Sequence, residues 1–224
     1  LHSESIMKKL LIICFLLSAR FGFAQHAFEN EIQTFEKQDA DVKPAKGTTL
    51  FVGSSSFRLW VTFTNDMKGF QAINRGFGGS QMSDVLYFFD RVVKPYQPKW
   101  IFLYEGDNDI NSGENPEAIY AEFQEFVSKV KRELPGTRIA FVGLRPSLAR
   151  LQNMDKQKQL NSLVKSYCSQ TEGMYFIDTF SPFFDEKNEL LKDIFVADNL
   201  HLNTKGYQIW TNTITHFMAE KGVK

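Results

Sequence analysis

The chain has 224 residues, with 26 basic and 26 acidic side chains, four histidines and two cysteines. So even a charge balance excludes a bulk electrostatic attraction to nucleic acid or to an anionic membrane surface. With no repeat and no low-complexity segment, this is enough chain for one domain with a full core.

Met7-Lys8-Lys9 is a basic start, Leu10 to Ala19 an apolar stretch, and Gly22-Phe23-Ala24 puts small residues before a cut. Residues 7–24 therefore read as a secretory signal peptide, with Leu1 to Ile6 upstream of the start methionine. The apolar run is shorter than the roughly 20 residues of a membrane span. Cleavage after Ala24 would remove three basic residues and one acidic residue, leaving 23 and 25, with Cys168 as the sole cysteine. That predicts an exported protein, periplasmic or secreted, with no internal disulfide, no stable membrane span and a buried structural thiol.

Residues 25–47 follow as an amphipathic helix, with Phe28, Ile32 and Phe35 at helical spacing, and a linker marked by Pro44 and Gly47. Residues 48–224 then alternate apolar strands with amphipathic helices. The predicted strands are Thr48–Val52, Phe70–Arg75, Trp100–Tyr104, Arg138–Gly143 and Met174–Ile177. A helix opens at the serines after the first strand, and another is capped by Ser83. Asn115 and Pro116 open a long helix whose apolar face is Ile119, Phe123, Val127, Val130 and Leu134. Further helices cover Gln157 to Cys168 and a terminal segment with Tyr207, Trp210, Ile214 and Phe217 on one face. This alternation predicts an α/β fold with a five-stranded parallel sheet covered on both faces. In such sheets function gathers beyond the carboxyl ends of the strands.

The polar loops that follow strands are the candidate site. Gly53-Ser54-Ser55-Ser56 places hydroxyls at a helix start, which suits a nucleophile, a phosphate or a plain helix cap. Of the four histidines, His201 alone sits in a loop beside a carboxylate, Asp198, three residues earlier. Asn108, in Gly106-Asp107-Asn108-Asp109, and the backbone N–H of Gly79 could donate to an oxyanion, while Ser80 is a rival nucleophile. Rival motifs fail on spacing. Gly76-Phe77-Gly78 lacks the further glycine of a dinucleotide loop, because position 81 is Gln. Asp107, Asp109 and Asn111 lack the Gly and Glu of a calcium loop, and no His/Cys group has zinc spacing. No metal and no cofactor are expected.

Taken together, Gly53-Ser54-Ser55, Gly79 in its Gly-rich loop, Gly106-Asp107-Asn108-Asp109 and Asp198-Asn199-Leu200-His201 resemble the GDSL/SGNH hydrolase superfamily. All four blocks occur in the family's order, from Thr48 to the C-terminus. The resemblance implies a flavodoxin-like three-layer α/β/α sandwich. It makes Ser55 the nucleophile, His201 the base and Asp198 its orienting carboxylate. The oxyanion donors would be the N–H groups of Ser55 and Gly79 and the Asn108 amide. Ser54 stands where the family usually has Asp, a departure similar to the platelet-activating-factor acetylhydrolase-like branch, and it leaves Ser54 and Ser56 as competitors for the nucleophile role. The implied activity is hydrolysis of short-chain, acetyl-class esters of a small molecule or glycan through an acyl-enzyme. Lysophospholipase or thioesterase activity is the nearest alternative, and a non-catalytic carbohydrate-binding module on the same fold is the more distant one. Arg145 and Arg150, after the fourth strand, read equally as pocket, cap or surface residues.

Overall fold

The computed structural model describes residues 26–224; the predicted signal peptide lies outside the described residues. Five strands, β1 (Thr49–Gly53), β2 (Ala72–Gly76), β3 (Trp100–Tyr104), β4 (Arg138–Val142) and β5 (Met174–Ile177), form one sheet in the order β2-β1-β3-β4-β5. Every neighbouring pair is parallel. The predicted strands stand within two residues of these limits, and β3 and β5 match at both ends. The first two shift towards their glycines, because Gly53 and Gly76 still pair with each other in the ladder.

Alternation along β3 sorts the helices into two layers. Trp100, Phe102 and Tyr104 meet the C-terminal helix through Phe217 and Trp210, with Tyr104 and Trp210 rings 5.0 Å apart. On the opposite face, Phe123 of the long helix Pro116–Glu133 lies edge-on to Phe141 of β4, at 5.4 Å. The chain is therefore an α/β three-layer sandwich. Asn115 caps the long helix by accepting from Ala118 N–H at 2.9 Å, and its five predicted apolar-face residues are all buried. The N-terminal helix Glu29–Asp41 packs Ile32 into the core and is tied down by Arg91 to Glu29 and Glu36, and by Arg75 to Asp39. Cys168 is free and buried, and burial pushes its thiol up to about 12. No helix among the described residues is long and apolar enough to cross a membrane.

Two local expectations change. The predicted helix after β1 is a single turn, Ser55–Arg58, followed by a separate turn at Phe63–Asp66. Trp60 ends the first turn by sinking its ring between Phe63 and Tyr207 rather than continuing the spiral. Ser83 lies inside the helix, whose cap position is Gln81, two residues earlier; Gln81 N–H is held by the Asp84 carboxylate at 2.8 Å.

Gly53 is a tightly constrained backbone position. It adopts φ +147°, and a Cβ there would lie 2.2 Å from the Tyr104 carbonyl of the neighbouring strand. Gly53→Ala should destabilise the domain by about 2 kcal/mol. For a domain of this size that is a fall in Tm of roughly 4–8 °C, read by thermal unfolding in circular dichroism; an unchanged Tm would refute the constraint.

Candidate active site

The loops that leave β1, β2, β3 and β4, and the segment before the C-terminal helix, meet at the carboxyl rim of the sheet. Ser55 Oγ lies 3.0 Å from His201 Nε2, and His201 Nδ1 lies 2.6 Å from Asp198 Oδ2. A carboxylate can only accept, so the imidazole carries its proton on Nδ1 and leaves Nε2 free to accept from the serine. The other Asp198 oxygen accepts the N–H groups of Leu200 at 2.8 Å and His201 at 2.9 Å. A single turn of chain, with Asn199 in the left-handed region at φ +57°, thus folds the carboxylate back on its own histidine. Desolvation opposes ionisation of Asp198, but the bonds from the His201 ring and these two N–H groups outweigh it and bring the carboxyl from 3.8 to about 2.

The other serines have different partners. Ser80 is fully buried and donates to Glu105 at 2.6 Å. The oxygen of Ser56 accepts from the buried guanidinium of Arg145 at 3.2 Å. Ser54 is buried, and its N–H bonds the Tyr104 carbonyl at 3.2 Å. Of these four serines, Ser55 alone lies within hydrogen-bond reach of His201.

Gly79 and Asn108 lie side by side: a Cβ built on Gly79 would stand 3.7 Å from Asn108 Nδ2. Asn108 Nδ2 donates to the Ser80 carbonyl at 2.9 Å and its Oδ1 accepts from Arg150 Nη2 at 3.0 Å. Among the described residues, the N–H groups of Ser55 and Gly79 and the second amide hydrogen of Asn108 have no acceptor. These N–H groups are free to donate, and two of them, on Gly79 and Asn108, are neighbours.

Beneath this rim lie carboxyl groups, Glu105 among them, whose contacts the sequence did not indicate. Glu105 is fully buried, and burial, reinforced by Asp109, pushes its carboxyl well above the usual range. Asp107 accepts from Arg150 at 2.5 Å and from Gln157 at 2.7 Å. Asp109 anchors the start of the next loop by accepting Met82 N–H at 2.8 Å. Asp109, Glu114 and Glu122 are the one group, among the described residues, whose carboxylate oxygens lie close enough to hold a metal ion, within 4.8 Å of one another. Only the position of these residues after strands could have flagged them, since each contact crosses between loops.

The model of the GDSL-like Lipase/Acylhydrolase family matches residues 47–209, and the chain belongs to that family. No curated protein matches the sequence. Solved structures share the fold. One from Streptococcus pneumonia, provisionally described as a platelet activating factor, has a TM-score of 0.74 at 21% identity, covering 95% of this chain and 99% of that one. A GDSL-like lipase from Bacteroides thetaiotaomicron gives 0.71 at 18%, covering 85% and 98%. An acetylxylan esterase from Geobacillus stearothermophilus gives 0.64 at 16%, covering 80% and 96%.

Asp109 supplies a pH signature. Burial raises its carboxyl from 3.8 to about 7, against the bond from Met82 N–H and with added repulsion from Glu114 and Glu122. A folded state that holds this proton more tightly than the unfolded chain is favoured below pH 3.8, and that contribution is lost as pH rises through about 7. Asp109→Asn keeps the Met82 contact without the charge. Its urea midpoint should exceed that of the wild type at pH 8, and the advantage should vanish near pH 4. A pH-independent difference would refute this account.

Proposed function

We propose that the protein is a serine esterase that hydrolyses short-chain, acetyl-class esters through a covalent acyl-enzyme. The observation that carries this reading is the continuous hydrogen-bond line from Ser55 Oγ through the His201 ring to Asp198. His201 Nε2 takes the Ser55 proton as Oγ attacks the ester carbonyl carbon. Negative charge then develops on the carbonyl oxygen, where the N–H groups of Ser55 and Gly79 and the Asn108 amide can receive it. His201 returns the proton to the leaving alcohol as the C–O bond breaks. It next removes a proton from water, which attacks the acyl carbon and restores the Ser55 hydroxyl. Asp198 stays ionised throughout and holds the imidazole in its working tautomer.

The acyl-size preference has one support. A structural relative is an acetylxylan esterase, which favours an acetylated sugar or a similar small ester as substrate here. Export remains part of the proposal and rests on the leader sequence at residues 7–24.

Ser55→Ala should abolish hydrolysis of p-nitrophenyl acetate, and a fluorophosphonate probe should label the wild type on the Ser55 peptide alone, as read by mass spectrometry. Failure to label would sink the catalytic reading and leave a carbohydrate-binding module. Faster turnover of long-chain lysophospholipid or acyl thioester than of acetyl esters would redirect the substrate class.

Asn108→Ala should lower kcat by about 10²–10³. Asp198→Asn should lower it by on the order of 10⁴ through loss of the correct tautomer. Near wild-type kcat in either variant would remove that residue from the mechanism.

A further inference from the structure

Two contacts hold the Asn108 amide: its Nδ2 donates to the Ser80 carbonyl at 2.9 Å and its Oδ1 accepts from Arg150. An amide can rotate to exchange its oxygen and nitrogen, and only one orientation offers a hydrogen to an oxyanion. Arg150 Nη2 donates to Asn108 Oδ1 at 3.0 Å, while Arg150 Nη1 grips the same loop at the Asp107 carbonyl, 3.2 Å, and at Asp107 Oδ2, 2.5 Å. Turning the amide over would set its NH₂ group against a guanidinium, donor against donor.

We propose that Arg150 is a positioning residue that locks the Asn108 amide with its nitrogen towards the reacting oxygen and strengthens that nitrogen as a donor. The proposal rests on the reading of Asn108 as an oxyanion donor. A cation on the carbonyl end of an amide draws electron density from the nitrogen and makes its N–H groups stronger donors, most of all where water is scarce. The Arg150 side chain is only 12% exposed, and its partner carboxylate is held from the far side by Gln157 at 2.7 Å. The fork is therefore fixed before substrate arrives.

Arg150 also occupies a break in its own segment, with φ −129° and ψ 34° inside an otherwise helical turn. The preceding residue ties the same loop to the histidine segment, Ala149 N–H donating to the Asn199 carbonyl at 3.0 Å. One short stretch after β4 thus braces both the oxyanion side and the base side of the site. Lysine could keep the charge near Asp107, but a single ammonium on a flexible stem cannot reproduce the planar fork across two residues.

A purely structural Arg150 would cost stability without caring about Asn108, so the test is a double-mutant cycle on p-nitrophenyl acetate. Arg150→Ala should lower kcat by about 10- to 100-fold with KM within about twofold, the cost of a misplaced catalytic group. In the Asn108→Ala background the same change should cost less than about threefold, because the group it positions is gone. Arg150→Lys should retain the melting temperature of the wild type while recovering only part of kcat. If Arg150→Ala fails to fold, the cycle is run with Arg150→Lys, whose smaller loss should likewise vanish without Asn108. Equal losses in both backgrounds, or a raised KM at unchanged kcat, would overturn the proposal and leave the oxyanion role of Asn108 intact. Near wild-type kcat in Asn108→Ala alone would remove the oxyanion reading, and Arg150's role with it.

Discussion

The close approach of β1 to β3 at Gly53 is the constraint on which the rest depends. In the order β2-β1-β3-β4-β5 the chain winds to one side after β1 and to the other after β3, which opens a crevice between the two strand ends. Gly53 and Tyr104 are register partners, and the missing Cβ lets Ser54 N–H reach the Tyr104 carbonyl one residue further on. Both strands therefore release their loops at the same level, Ser55 from one and Asn108 from the other. Below them Phe51 and Phe102 stack at 4.5 Å, nearly parallel, so the register is held by packing as well as by the ladder.

What stiffens those loops is polar and buried. The helix after β1 is one turn long and so has little macrodipole to offer, and long secondary structure does not support the serine. Instead Tyr207 donates to the Ser56 carbonyl at 2.8 Å, and Arg145 donates to the Ser56 hydroxyl while its guanidinium lies over the Trp210 ring. Glu105 holds Ser80, and Arg150 with Gln157 holds Asp107. Buried polar groups are costly unless paired, so such contacts add little net stability; what they add is one arrangement in place of several.

The layers were legible in the sequence because their cause is local. The spacing of Ile119, Phe123, Val127 and Val130, the cap at Asn115 and the continuous run from Trp100 to Tyr104 each dictate an element without help from elsewhere. The short turn after Ser55 was not legible. Its apolar residues at 57 and 60 fit a helix, but Trp60 finds better contacts with Phe63 and Tyr207, and those partners are decided only by the tertiary fold. Arg150 fell beyond sequence reasoning for the same reason. Nothing in an arginine after a strand says that it will reach 42 residues back along the chain to an asparagine oxygen.

The selection of one serine among four shows how burial and pairing act where composition cannot. Ser54, Ser55 and Ser56 are consecutive, and Ser80 follows a glycine just as well suited to a tight loop. A serine whose proton goes to a buried carboxylate, as Ser80's does, faces an acceptor whose own proton affinity is raised by burial and which has no open route to solvent. A serine whose oxygen is taken by a cation, as Ser56's is, has its lone pair drawn away from attack. Ser55 differs from both in that its only side-chain partner is an imidazole nitrogen at 3.0 Å, and that ring is backed by the Asp198 carboxyl, lowered to about 2. Each of these hydroxyls therefore has a different surrounding, and of the four only that of Ser55 meets an imidazole; the proposed nucleophile is the one whose proton has a base to go to.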